Sequence, residues 1–300
     1  MVHQGAGPPQ GRAGSHGIQL ARPYLPLLPF FGYLTIFLLL PTAIVTVGAF
    51  QDVQGNATLQ NITAVFEGEA FRDAFVRSIQ LSAVTAVGGA ILGALLSWAV
   101  AISSPDGRLR RVVLAACGVL AQFGGVMLAF AFVATFGNNG LVTNVLEDGL
   151  GLDIPRAATW IYSLNGLAVV YLIFQIPLMV IVFMPSLDGI RREWREASAS
   201  LGGSGWSFWR HVGGPILAPS FLGALLLLFA NAFSAYATAA ALISQGSPIV
   251  PLRIRGALTG ELVLDQANVG KALALGMIVV VAIVMILYTI LQRRASRWVR

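Results

Sequence analysis

Six stretches of this 300-residue chain are too long and too apolar to sit inside a water-soluble domain. They fall at about 25–50, 76–103, 112–136, 158–184, 216–243 and 268–291. A helix that crosses the hydrocarbon core of a bilayer needs about 20 predominantly apolar residues, and each stretch supplies them. Charge is correspondingly scarce. Asp, Glu, Lys and Arg make up 11% of the residues, against roughly 25% in a soluble globular protein. A core helix of a soluble domain would carry a polar face and charged flanks, which these stretches lack. The chain therefore reads as an all-α polytopic protein with six transmembrane helices.

Details inside the stretches agree with a bilayer. Pro26, Pro29 and Pro41 fall in the first, and membrane helices tolerate proline where neighbours satisfy the freed carbonyls. Gly89 and Gly93, four apart in the second, predict a close helix–helix approach rather than a ligand site. The single cysteine, Cys117, lies in an apolar run; it has no intrachain partner for a disulfide and reads as a packing residue. Residues 1–24 are Gly-rich and polar. They predict a disordered tail rather than a cleaved signal peptide, leaving 25–300 as the membrane domain.

Basic residues set the orientation, because Lys and Arg concentrate in cytoplasmic segments. With a cytoplasmic N-terminus, the inside segments hold 13 of the 19 basic residues and 4 of the 13 acidic ones, a net of 13 − 4 = +9. The outside segments hold the other 6 and 9, a net of 6 − 9 = −3. Both termini are therefore expected in the cytoplasm. The net charge of +6 marks membrane orientation, not nucleic-acid binding. No span centre carries an ionisable residue of the kind that proton- and ion-coupled carriers use as a relay. Nor do the six spans show an obvious inverted repeat of broken helices, so energy for transport would have to come from another chain.

The segment from Pro185 to Pro215 is the most informative. Pro185 is expected to close the fourth span and Asp188 to cap the helix after it. Ile190, Trp194, Ala197 and Leu201 recur at helical spacing, with Arg191, Arg192, Arg195 and Glu196 on the other faces. Gly202 and Gly203 should break that helix, and Ser204 can cap a second one carrying Trp206, Phe208 and Trp209. A short helix-turn-helix on the cytoplasmic membrane surface follows. An amphipathic helix resting on headgroups would share its basic residues and tryptophans, but would not need its spacing of Glu, Gly and Pro.

Glu196-Ala197, Gly202 six residues after the Glu, then Val212 and Pro215 resemble the EAA loop of ABC importer permeases. Ser198 stands for the second Ala of that pattern, Val212 for Ile and Gly214 for Leu. The resemblance implies the type I importer permease fold, with a core over about 77–289 and a coupling loop at 186–215. It further implies a multi-pass protein of a prokaryotic inner membrane, a coupling helix seated in a groove of an ATP-binding cassette ATPase dimer, a second permease subunit, and an extracytoplasmic substrate-binding protein. Glu196, Ala197, Gly202, Phe208, Val212 and Pro215 are the candidate coupling residues.

ATP hydrolysis is not expected on this chain. A phosphate-binding loop needs Gly, four residues, then Gly-Lys and Ser or Thr. Lys271 is the only lysine; Asp265 stands at the first Gly and Ala272 follows it. No cofactor is therefore expected here, ATP and Mg²⁺ belonging to the partner ATPase. Polar span residues mark the candidate solute path: Gln122, Gln175, Asn231, Ser234, Tyr236 and Thr238, of which Gln175, Asn231, Ser234 and Thr238 are the leading ones. Asn231, Ser234 and Thr238 are spaced i, i+3 and i+4 along one face, whereas Tyr236 falls on another side.

The wording from Asn231 to Leu242 resembles permeases of spermidine/putrescine type. That implies a polyamine-like amine as first solute, although Ala235 or Tyr236 stands where those permeases often carry an acid. Aminoethylphosphonate, iron, thiamine or sugar are the alternatives. Two other classes compete. A membrane-embedded enzyme would need His, Cys or carboxylates gathered at one depth, but His3, His16 and His211 are scattered outside the spans. A passive channel would have no use for the Glu196-to-Pro215 loop, and its flux would survive ATP depletion.

Overall fold

The computed structural model describes residues 27–104, 107–150, 159–243, 249–259 and 267–296; the tail expected at 1–24 lies outside them. The chain divides into two compact units, Met1–Val47 and Gly48–Arg300. The described part of the first unit belongs to helix α1, Leu28–Ala49. Pro29 sits in its first turn, where a missing N–H leaves nothing unpaired. Pro41 lies inside, and the turn before it, Thr35–Leu39, widens to a π-helix. That widening moves aside the carbonyls that a proline ring would otherwise strike.

The second unit follows as α2 (Gln60–Glu67), α3 (Glu69–Ile102), α4 (Arg108–Gln122), α5 (Gly125–Phe136), α6 (Leu141–Leu150), α7 (Leu164–Asp188), α8 (Arg192–Ser200), α9 (Gly205–Ser234), α10 (Ala237–Leu242), α11 (Val250–Leu258) and α12 (Ala267–Ser296). Among the described residues, six segments are long and apolar enough to cross a membrane: Leu28–Ala49, Glu69–Ile102, Gly125–Val145, Leu164–Asp188, Gly205–Ser234 and Ala267–Arg293.

Four boundaries differ from expectation. Helix α3 begins at Glu69 rather than near 76, because Gly68 takes an extended conformation ahead of it and Glu69 sits in its first turn, where an acid suits the helix dipole. The third stretch is not one helix: α4 and α5 are separated at Phe123 and Gly124. Helix α7 runs through Pro185 to Asp188. Pro185 does not close it, since Phe183 and Leu187 pack with Leu217 in a buried cluster that holds the last turn. Asp188 therefore caps nothing. Its carboxylate accepts from Arg110 at 2.5 Å, and Arg191 in extended conformation precedes α8. The fifth stretch starts earlier and ends earlier than expected, as Gly205–Ser234, and resumes after a break as α10.

The centre of this unit is the pairing of α7 with α3 and α9. A Cβ on Gly93 would lie 2.4 Å from Met179 Cβ and 2.7 Å from the Ile176 carbonyl; one on Gly89 would lie 2.7 Å from Gln175 Cβ. Only glycine allows this approach, as the Gly89/Gly93 spacing predicted. Ala86, Ala90, Met179, Ala224 and Leu228 fill the seam. On the outer faces Val84, Leu95, Ile283 and Ile286 are all more than half exposed. Such apolar surface is costly in water and suited to lipid.

Candidate functional site: a helical hairpin and two broken spans

Two features stand apart from the packed bundle. The first is the hairpin of α8 and the start of α9. Helix α8 ends because Leu201 is followed by Gly202 at φ +79°, a left-handed conformation that costs other L-residues about 1–2 kcal/mol. Gly202 N–H donates to the Ala199 carbonyl at 2.9 Å and Gly203 N–H to the Ser198 carbonyl at 2.9 Å. That bonding pair is the glycine-terminated Schellman turn. A Cβ on Gly203 would lie 2.7 Å from both oxygens of Ser198, so the second glycine is also required. Ser204 then caps the next helix, its Oγ accepting from Ser207 N–H at 3.2 Å.

The second arm is not a separate surface helix, as the sequence led us to expect. It continues from Gly205 into the membrane span. It passes Pro215 through another π-helical turn, Trp209–Gly213, the same device that precedes Pro41. The hairpin is thus rigidly joined to α9 at one end and to α7 through Gly189–Arg191 at the other.

Inside the hairpin, Arg195 lies over the rings of Phe208 and Trp209, 5.5 and 5.4 Å from their centres. Phe208 is buried at 4% exposure, so it anchors the fold of the hairpin. Glu196 and Ala197 are exposed, and Glu196 pairs with no described basic residue. Leu201 and Trp206 are 89% and 74% exposed. The stripe of Trp194, Ala197 and Leu201 does not bury itself. With Val212 and Ile216 it lines an open groove of about 520 Å³, and Pro215 is exposed nearby.

The second feature is a polar cavity where two spans break. Helix α9 ends at Ser234 and α10 begins at Ala237, while α5 starts after Gly124, with Gly125 at φ +72°. The breaks face each other: a Cβ on Gly125 would lie 3.6 Å from Ala237 Cβ. Each break frees carbonyls and N–H groups that lipid cannot satisfy, at several kcal/mol per unpaired group. Side chains supply partners. Thr238 Oγ1 donates to the Gly125 carbonyl at 3.1 Å, and Tyr171 O–H to the Ala235 carbonyl at 2.7 Å. A cavity of about 290 Å³ remains, lined by Gln122, Asn231, Ser234, Tyr236 and Thr238 with Gly124 and Phe174.

The broken spans correct the expectation of uninterrupted helices, and they rearrange the candidate residues. Asn231, Ser234 and Thr238 do line one cavity. Gln175 does not join them. It is fully buried between helices, its Nε2 donating to the Leu228 carbonyl at 3.0 Å. Tyr236 was assigned to another face by continuous helical spacing, but the break at Ala235 turns it into the cavity. Tyr171 and the Gly124-Gly125 pair had not been singled out. Two adjacent glycines in mid-span were the available signal.

Residues 157–300 match the family described as binding-protein-dependent transport system inner membrane component. The trehalose transport system permease protein SugB of Mycobacterium tuberculosis is 25% identical over 255 residues, 85% of this chain and 84% of its own length. The thiamine transport system permease protein ThiP of Salmonella typhimurium is 26% identical over 129 residues, 43% of this chain and 23% of that longer protein. A bacterial ABC transporter involved in import of the acidic polysaccharide alginate has a chain of like fold, with TM-score 0.72, 18% identity and coverage of 93% and 97%. Over residues 157–300, just under half of its length, the chain is thus similar to inner-membrane components of binding-protein-dependent transport systems, and its six described apolar helices and the hairpin before the fifth fit that likeness.

Proposed function

We propose that the α8–α9 hairpin is the contact through which an ATPase dimer drives this permease, and that solute crosses along the cavity between the two broken spans. The observation that carries the coupling role is the glycine-terminated turn at Gly202, which leaves Leu201 and Trp206 almost uncovered at the tip. An arm that merely rested on its own bundle would bury those side chains. Glu196, exposed on the same helix, is available to a basic groove residue of the partner. Because the second arm is continuous with α9, displacement of the hairpin moves the helix whose end lines the cavity. ATP and Mg²⁺ act on the partner, a second permease supplies the facing half of the path, and an extracytoplasmic binding protein delivers solute.

For the solute we favour a neutral or anionic polar molecule over a polyamine-like amine. The described lining offers an amide pair, hydroxyls and a phenol but no carboxylate, and a desolvated ammonium needs an opposite charge. The named relatives and the structural neighbour handle trehalose, thiamine and alginate respectively, which spans several charge types. The test is uptake by the reconstituted complex with its ATPase and binding protein. Replacing Asn231 by Leu should abolish uptake while the chain still assembles. Unchanged uptake would remove the cavity from the path, and ATP-independent flux would favour a passive channel.

A further inference from the structure

A second cavity, of about 470 Å³, opens at the end of the unit that carries the hairpin, enclosed by the C-terminal end of α3, the start of α4, the end of α7, and α8. Three guanidinium groups line it, those of Arg110, Arg192 and Arg195, against one carboxylate, Asp188. Asp188 is already paired with Arg110. The Arg195 guanidinium carbon lies 5.5 and 5.4 Å from the ring centres of Phe208 and Trp209; that cation–π contact neutralises no charge, and Arg195 has no described ion-pair partner. Arg192 is exposed and has no described ion-pair partner. The lining is thus short of negative charge, and its donors suit an oxyanion with several acceptor oxygens.

The other wall points to the source of that anion. Trp98 and Ile102 line the cavity and are 46% and 64% exposed; Leu95 and Ile91, one and two turns earlier on α3, are 56% and 49% exposed. These four positions, spaced four, three and four apart, share one helix face. An uncovered apolar strip therefore runs along the span and ends among the arginines. A free anion has no use for such a strip, whereas an acyl chain does. We propose that this cavity binds the phosphate headgroup of an anionic phospholipid, its acyl chain lying along Ile91, Leu95 and Trp98. The lipid would bridge α3 and α7 to α8, so, on the coupling role proposed above, its presence would bias the hairpin position. A tryptophan at the mouth fits a headgroup boundary, and basic pockets between spans are suited to anionic headgroups.

The test is native mass spectrometry of the detergent-purified complex, offered phosphatidylglycerol or phosphatidylcholine. The complex should retain phosphatidylglycerol preferentially, and Arg192→Gln should weaken that retention roughly fivefold, the effect of one arginine beside an anionic headgroup. Arg191→Gln, a neighbour that does not line the cavity, should leave retention unchanged. Equal retention of the two lipids, or equal losses in both variants, would overturn the site. Displacement of the lipid by excess inorganic phosphate would assign the cavity to a free anion and overturn the lipid proposal. Lipid retention is read without transport, so its failure leaves the importer assignment standing.

Discussion

At the scale of single residues, the hairpin rests most heavily on Gly202. Its φ of +79° and its N–H bond to the Ala199 carbonyl make two separate demands. Gly202→Ala tests the first alone, and should cost about 1–2 kcal/mol locally while keeping the bond. Gly202→Pro removes both, since proline fixes φ near −65° and carries no N–H. We expect Gly202→Pro to insert and purify normally but to hydrolyse ATP without uptake, measured in proteoliposomes with the partner ATPase. Normal uptake by that variant would remove the hairpin from the coupling path. Gly202, Gly203 and Ser204 were all readable beforehand, because turn and cap chemistry depends on a few neighbouring residues. Phe208 was not readable in the same way. Its place in the motif suggested a contact, but Arg195 covers it, a tertiary fact that no local spacing carries.

At the scale of elements, the seam between α3 and α7 and the two breaks make opposite demands on the backbone. The seam requires close approach. Gly93→Leu should destabilise the solubilised chain by at least about 1–3 kcal/mol, because Met179 and the Ile176 carbonyl already occupy the space. A lowered thermal midpoint in detergent checks this. Gly118→Ala, where nothing lies within 4 Å, should be neutral or slightly stabilising, by up to about 1 kcal/mol. The breaks require side-chain donors instead. Thr238→Val keeps the shape of the residue but strips the Gly125 carbonyl of its partner. It should cost about 1 kcal/mol and lower uptake more than it lowers stability. Equal loss of both would make Thr238 a packing residue only. The glycine seam could be inferred from sequence because spacing on one regular helix dictates it. The interruptions at Phe123–Gly124 and Ala235–Tyr236 escape helical periodicity, which assumes the very continuity that is lost there; the Gly124-Gly125 pair marks the first, and no comparable signal marks the second. That assumption misplaced Tyr236. Gln175 lies between helices and not on the cavity, and sequence could not tell the two apart: burial between helices and burial beside a cavity look alike in a polar residue within an apolar run.

At the scale of the whole molecule, the coupling proposal requires the hairpin and the ATPase to share one side of the membrane. Orientation is a matter of charge rather than packing. With the hairpin inside, cytoplasmic segments net +9 and external segments −3 over all 300 residues, an asymmetry in the sense that favours this topology. The single native cysteine, Cys117, is buried, so introduced thiols can report sidedness without a competing signal. Asn56 and Thr259 lie in exposed segments between spans on the side expected to face outward; Ser200 is exposed on the hairpin. Asn56→Cys and Thr259→Cys should react with a membrane-impermeant maleimide in intact spheroplasts, and Ser200→Cys only after permeabilisation. The opposite labelling pattern would put the hairpin out of reach of a cytoplasmic ATPase, whatever the quality of its turn. If labelling follows the charge count, the remaining mechanical question is whether motion of α8 reaches the cavity. The continuity of α9 from Gly205 to Ser234 provides one covalent, hydrogen-bonded rod between them. Its one widened turn, at Trp209–Gly213, is where that rod is least stiff.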